Sequence, residues 1–179
     1  ELFFGEGSMF VKVVALDPST DGRVFRLAET VRAGGFLASQ TGLEPGVLLG
    51  EWLARDLGAA VGDPVTIRTR TRYGAIQTLE LEVAGILNCP NPVINRGTAF
   101  IPLALAEESL EMEGSVSELA LSFPEWKDPE LSLQEIRGRL EGFPELAVAG
   151  WMELAKDFLA IAQAKSAGTS LLLTLIFII

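Results

Sequence analysis

The chain has 179 residues, 49% hydrophobic and 21% charged, which supplies a core for one domain or two small ones and excludes a disordered chain. Its formal net charge of −10 argues against a nucleic-acid partner, which requires a basic patch to displace counterions. There is no histidine, and the one cysteine is Cys89, so histidine-based triads, histidine metal sites and an internal disulfide are excluded. No cofactor is expected.

Met9–Leu16 is β-branched and apolar, as in a buried strand. Asp17–Gly22 breaks it with turn chemistry, and Val24, Leu27, Ala28 and Val31 form a helical stripe that Gly34-Gly35 would cap. Asp17, Ser19, Asp21 and Gly22 match the opening of a calcium loop, but Ala28 stands where the bidentate glutamate is required, so a solvated turn is expected. Val47–Leu49 reads as a strand stopped by Gly50. Glu51–Leu57 then reads as a short helix ended by Gly58, Val61–Pro64 as a tight turn, and Val65–Thr71 as a strand. Two more strands are expected at Leu79–Leu87 and Thr98–Leu103, separated by an irregular loop over Asn88–Gly97, and a short acidic helix at Leu103–Met112.

Val116–Phe123 alternates as a strand should, and Ser132-x-x-Glu135 reads as a capping box before Leu133, Ile136 and Leu140. Gly142-Phe-Pro144 ends that helix and Leu146–Ala149 makes a last strand. From Trp151 an amphipathic helix is expected, with Trp151, Leu154, Phe158 and Ala162 on one face and Glu153, Lys156 and Asp157 between them. After Lys165 the charges stop, and Ser166–Ile179 would span about 21 Å as a helix against a hydrocarbon core of ~30 Å. We read it as the start of a transmembrane helix. The chain opens on Glu1 with no signal-peptide pattern, as expected of a middle piece of a longer protein.

Arg68, Arg70 and Arg72 alternate with Thr69, Thr71 and Tyr73, which places the guanidinium groups on one strand face. This local basic stripe could contact anionic lipid or an acidic partner, or simply keep an exposed strand from aggregating. The cluster Glu107, Glu108, Glu111 and Glu113 reads as solvated surface rather than a glycosidase pair. Cys89 lacks a histidine to activate it, and no phosphate-binding GxxxxGK[ST] loop is present. The chain is not expected to be an enzyme.

Three phrases carry a resemblance: Val47–Ile67 (VLLGEWLARDLGAAVGDPVTI), Leu81–Leu87 (LEVAGIL) and Ala99–Ala106 (AFIPLALA), preceded by Val13–Pro18 and followed by Trp151–Ile176. In this order they resemble the extracytoplasmic domain of permeases in the lipoprotein-releasing and macrolide-exporter superfamily of ABC transporters. The resemblance implies an α+β fold with a discontinuous ferredoxin-like subdomain from 9–45 and 115–165. It also implies an inserted mainly-β subdomain over 46–114 and a membrane-entering helix over 166–179. It implies a cytoplasmic (inner) membrane location with this domain on the periplasmic side, and Trp151, Phe158 and Lys165 on a helix coupling domain to membrane. The implied partners are a cytoplasmic ATPase, a second permease copy or paralogue, the membrane, and a lipoprotein or other amphiphilic substrate. Apart from the resemblance, the alternating stripe leaves Arg68, Arg70, Arg72 and Tyr73 as the candidate lipid or partner contact. The hairpin Arg68–Thr78 is short and proline-free, unlike the long Pro-rich loop with which lipoprotein-releasing members dock a carrier. A transport-inactive relative that regulates a cell-wall hydrolase is the second reading, and a soluble enzyme with a core C-terminal helix the third.

Overall fold

The computed structural model describes residues 1–37, 45–124 and 128–156. The chain divides into two units, Glu1–Ser122 and Phe123–Ile179. The fold is mixed α+β, with one mixed sheet and, among the described residues, five α-helices.

The first unit holds β1 (Leu2–Phe4), β2 (Gly7–Met9), β3 (Lys12–Leu16), β4 (Val31–Gly34), β5 (Gly46–Gly50) and α1 (Glu51–Leu57). It continues through β6 (Pro64–Arg70), β7 (Ile76–Leu87), α2 (Pro92–Gly97), β8 (Thr98–Pro102) and α3 (Leu103–Ser109). The strand order is β2-β1-β6-β7-β5-β8-β3, with β4 pairing beside β6 on β7. β5 runs parallel to β7 and β3 parallel to β8, and the other pairs are antiparallel. The two outermost strands, β2 and β3, are joined only through Phe10 and Val11. Three trans peptide steps reach at most about 11 Å, so the sheet must curl until its edges nearly meet.

Curling gives the sheet an inner and an outer face. The inner core takes Leu2, Val47, Leu49, Val65, Ile67, Leu81, Val83 and Ile101, closed by Leu53 and Ala54 of α1 and Ala106 of α3. The outer core takes Leu48, Leu87, Cys89, Phe100, Leu27 and Leu37. Alternation explains how β5 and β8 serve both, since Leu48 points opposite to Val47 and Leu49, and Phe100 opposite to Ala99 and Ile101. The 12-residue β7 changes role midway. Its pairing with β5 passes from Val83 to Gly85, skipping Ala84, and this bulge shifts the alternation by one residue. Leu79, Leu81 and Val83 therefore face inward, while Leu87 faces the outer core.

The phrase VLLGEWLARDLGAAVGDP folds as its chemistry dictates. Gly50 begins α1, and Gly58, at φ 74°, ends it in the left-handed region, its N–H reaching Ala54 and Arg55 carbonyls. Asp63 closes the following turn by accepting the Ala60 N–H through Oδ2 (2.8 Å), while Gly62 at φ 89° donates to Val83 O (2.9 Å). The VGD motif is thus a fastener between α1 and β7.

Several expectations are corrected. Met9–Leu16 is two strands, because the chain crosses between sheet edges at Phe10–Val11. The stripe Val24–Val31 is not an α-helix but two 3-10 turns, Asp21–Arg23 and Leu27–Thr30, running into β4. The buried Asp21 carboxylate takes the Leu27 N–H (2.7 Å), which an α-helix would give to a backbone carbonyl, and Arg26 is left-handed at φ 54°. The loop Asn88–Gly97 contains α2, capped by Asn91 Oδ1 on Val93 N with Pro92 at the first turn. Val116–Phe123 and Leu146–Ala149 form no strand. In the second unit α4 (Pro129–Arg139) starts before the expected box, because Asp128 caps it ahead of Pro129 and Ser132 turns its hydroxyl back to Asp128 O. α5 (Trp151–Leu154) begins where the amphipathic helix was expected. Phe158, Lys165 and the charge-free run 166–179 lie outside the described residues. Among those described, no helix is long and apolar enough to cross a membrane. Strands β3 and β4 pair with β8 and β7, so residues from 9–45 and from 46–114 share one sheet.

A side chain at Gly50 would overlap the Asn95 backbone, whereas one at Gly97 would meet open space. Gly50→Ala is expected to destabilise the chain by about 2 kcal/mol or more and Gly97→Ala by under about 1 kcal/mol, read by urea unfolding. Equal effects would refute the close packing of α2 on the β5–α1 junction.

Candidate functional site

The hairpin β6–β7 turns over Thr71–Ala75, where Thr71 N donates to Ala75 O (2.8 Å) and Gly74, at φ 87°, donates to Thr71 O (2.9 Å). Arg68 and Arg70 share the outer face of β6, opposite buried Val65 and Ile67. Arg72 does not join them, because β6 ends at Arg70. Each guanidinium is occupied locally. Arg68 pairs with the Glu1 carboxylate and lies 5.2 Å above the Phe3 ring, tying β1 to β6. Arg70 reaches the Gly74 carbonyl across the turn (3.1 Å). Arg72 donates to Ser115 Oγ (2.9 Å) and lies 5.9 Å from the Tyr73 ring. The stripe therefore resolves into three separate fasteners, while Tyr73 and Ile76 stand exposed at the tip.

A second polar group went unnoticed in the sequence. Asn95 is buried, accepts from Cys89 N (2.8 Å), and donates to Cys89 O (2.8 Å) and to Asn88 Oδ1 (3.0 Å). Asn88 in turn donates to Glu51 Oε2, at the start of α1. Cys89 Sγ lies 3.5 Å from Thr30 Oγ1, and Arg96 stacks 5.0 Å above Trp52. These contacts clamp α2 against α1. The only sequence signal was the density of asparagines around prolines in Asn88–Asn95, which marks turns but not which amide is buried. Cys89 is a free cysteine, buried and held inside this clamp.

The remaining acidic groups do not converge. Both Asp17 oxygens are used within the turn, Oδ1 by Ser19 N (2.9 Å) and Oγ (2.7 Å), Oδ2 by Thr20 Oγ1 (3.1 Å). The Ser19 hydroxyl and N–H, followed by Thr20, hold the Asp17 carboxyl below its ordinary pKa. Glu107 and Glu108 ride on α3, and Glu111 and Glu113 sit in left-handed turn positions after it. Among the described residues no three acidic or cysteine side chains group to hold a metal. A shallow hollow bordered by Pro45, Pro64, Glu80, Leu81 and Glu82 opens on the outer face.

In the second unit Arg137 joins α4 to α5. Its Nη2 donates to both Glu153 oxygens (2.9 Å each) and to Val148 O (3.0 Å), while Gly150 N donates to Glu153 Oε2 (3.1 Å). Trp151, Met152 and Leu154 of α5 are exposed, as are Leu131, Phe143 and Leu146. No protein-family model matches the chain, and no curated protein matches it significantly.

Hydrogen bonds from Arg137, then from Gly150 N–H, hold the Glu153 carboxyl below its ordinary pKa despite a small opposing desolvation. Because the folded value is depressed, this tie is fully present above the unfolded carboxylate pKa and is lost as pH falls through the folded value. A carboxyl-detected NMR titration should show Glu153 protonating below a free glutamate, and Arg137→Ala should return it to the ordinary range. Asn95→Ala strands the Cys89 N–H and carbonyl in the interior and should cost about 3 kcal/mol in urea unfolding. A cost under about 1 kcal/mol would show that the clamp carries no weight.

Proposed function

We propose that the chain is the extracytoplasmic domain of a permease subunit of an ABC transporter in the lipoprotein-releasing and macrolide-exporter superfamily. In this role it couples ATP-driven movement of transmembrane helices to extraction or export of a lipoprotein or other amphiphilic substrate. The observation that carries the reading is an ordered set of phrases, each corresponding to a discrete element. They are a strand ending in glycine (β5), a helix closed by Leu57-Gly58 (α1), the VGD fastener, the bulged strand VxGI (β7), and FIPL leading from β8 into α3. The apolar, exposed start of α5 and the charge-free run after Lys165 supply the membrane side of the reading.

On this reading ATP is hydrolysed on a partner subunit or a separate cytoplasmic domain, and the helix from Trp151 transmits the motion. The porter-like subdomain is drawn from 9–45 and 115–165 in a ferredoxin-like arrangement, around the mainly-β insertion 46–114. The β3–β8 and β4–β7 pairings then form the seam between them. The short hairpin, whose arginines are engaged within the domain, suits an exporter or a release system that does not hand cargo to a carrier at this loop. The exposed Leu131, Phe143, Leu146 and Trp151 of the second unit favour, as a second reading, a scaffold that regulates an extracytoplasmic hydrolase.

The test is affinity purification of the native protein from its own membranes in mild detergent, with partners quantified by mass spectrometry. A stoichiometric ATPase, in the same or another chain, is expected. An ATPase with a stoichiometric hydrolase would favour the scaffold, and the absence of any ATPase would overturn both readings.

A further inference from the structure

Of the sheet's two terminal strands, β3 borders both cores and is paired on one side only among the described strands. Burial falls along the sheet's last strands: Leu48 and Leu49 of β5 are at 0%, Ala99, Phe100 and Ile101 of β8 at 5% or less, yet β3 is nowhere fully buried. Val13 and Ala15 only partly cover the inner core, and Val14 and Leu16 only partly cover the outer one. β3 pairs with β8 alone, so its other row of N–H and C=O groups has no ladder partner among the described strands. Among the described residues both cores therefore end at this edge, which one more strand would cover.

The same chain carries a segment with the complementary deficiency. Residues 116–121 (Val-Ser-Glu-Leu-Ala-Leu) make no backbone hydrogen bond, although Ser115 and Ser122 at its flanks are tied down. Arg72 Nη1 donates to Ser115 Oγ (2.9 Å), and Ser122 Oγ donates to Arg23 O (2.8 Å). Between these anchors Val116, Leu119 and Leu121 are 51%, 79% and 57% exposed. The pattern is that of a strand, with Leu119 and Leu121 on one face, yet it has no sheet.

We propose that residues 116–121 of one molecule add as a strand to the free edge of β3 in a second copy of the chain. The charges select a register. Lys12, at the exposed start of β3, and Glu118 are opposite in sign, and neither has an ion-pair partner among the described residues. A parallel alignment that sets Glu118 beside Lys12 places Leu119 beside Val13 and Leu121 beside Ala15, on the face that leads to the inner core. Reciprocal exchange closes a twofold dimer, the commonest symmetry of soluble assemblies. This interface does not depend on the transport reading.

The experiment is sedimentation velocity of the whole 179-residue chain in density-matched mild detergent, combined with hydrogen exchange over a dilution series. A dimer is expected, with the 116–121 amides slow when concentrated and fast when dilute. Leu119→Asp should raise the dimer Kd by at least about tenfold. Lys12→Glu and Glu118→Lys should each raise it by about tenfold, and the double exchange should restore it. A monomer at all concentrations with fast 116–121 exchange would overturn the proposal. Protection that survives dilution would place the strand in its own molecule, and a dimer indifferent to these substitutions would place the interface elsewhere; each likewise overturns it.

Discussion

The first unit depends on β7. One strand serves β6 along its first half, β5 and β4 along its second, and changes core at the Ala84 bulge. A strand of strict alternation could not do this, because every second residue would have to face the same core. The bulge is also why glycine is required beside it. A side chain at Gly85 would overlap the Gly35 carbonyl, where β4 crosses so closely that Gly35 N bonds Ala84 O at 2.9 Å.

The polar residues that look like a functional surface in the sequence are mostly spent on this architecture. The hairpin arginines brace β1, the turn and the 112–115 loop, and Asp63 fastens the chain between α1 and β6. What remains unpaired is largely apolar and lies late in the chain, at Leu119, Leu121, Leu131, Phe143, Trp151 and Leu154. Exposed apolar side chains gathered in this way are the kind of surface that meets another surface.

The central segment was legible because its signals are local. Glu51–Leu57 has an apolar face and a glycine stop, so helix α1 follows from neighbours in sequence; β6 and β7 follow from period-two alternation, and β5 and β8 from short apolar runs buried on both faces. The flanks were not legible, for identifiable reasons. Val24, Leu27, Ala28 and Val31 have helical spacing, but a single buried carboxylate, Asp21, captures Leu27 N–H and redirects the backbone. Val116–Phe123 has strand alternation yet is not a strand, because pattern alone specifies a face, not a partner. The clamp around Asn95 was invisible because a buried asparagine and a turn asparagine are the same letter. Arg72 was misplaced because alternation was extended past the end of β6.

The pairing scheme also has a consequence for synthesis. Leu2 meets Ile67, and β3 waits for β8, whose last residue is Pro102. Beyond the local β1–β2 hairpin, neither pairing can form until much of the first unit has left the ribosome, and the two parallel pairings need a crossover rather than a tight turn. The emerging chain must carry Val13, Val14 and Leu16 without their β8 partners throughout that interval. The apolar stretch 11–16 is thus the part of this unit that waits longest for its partner strand.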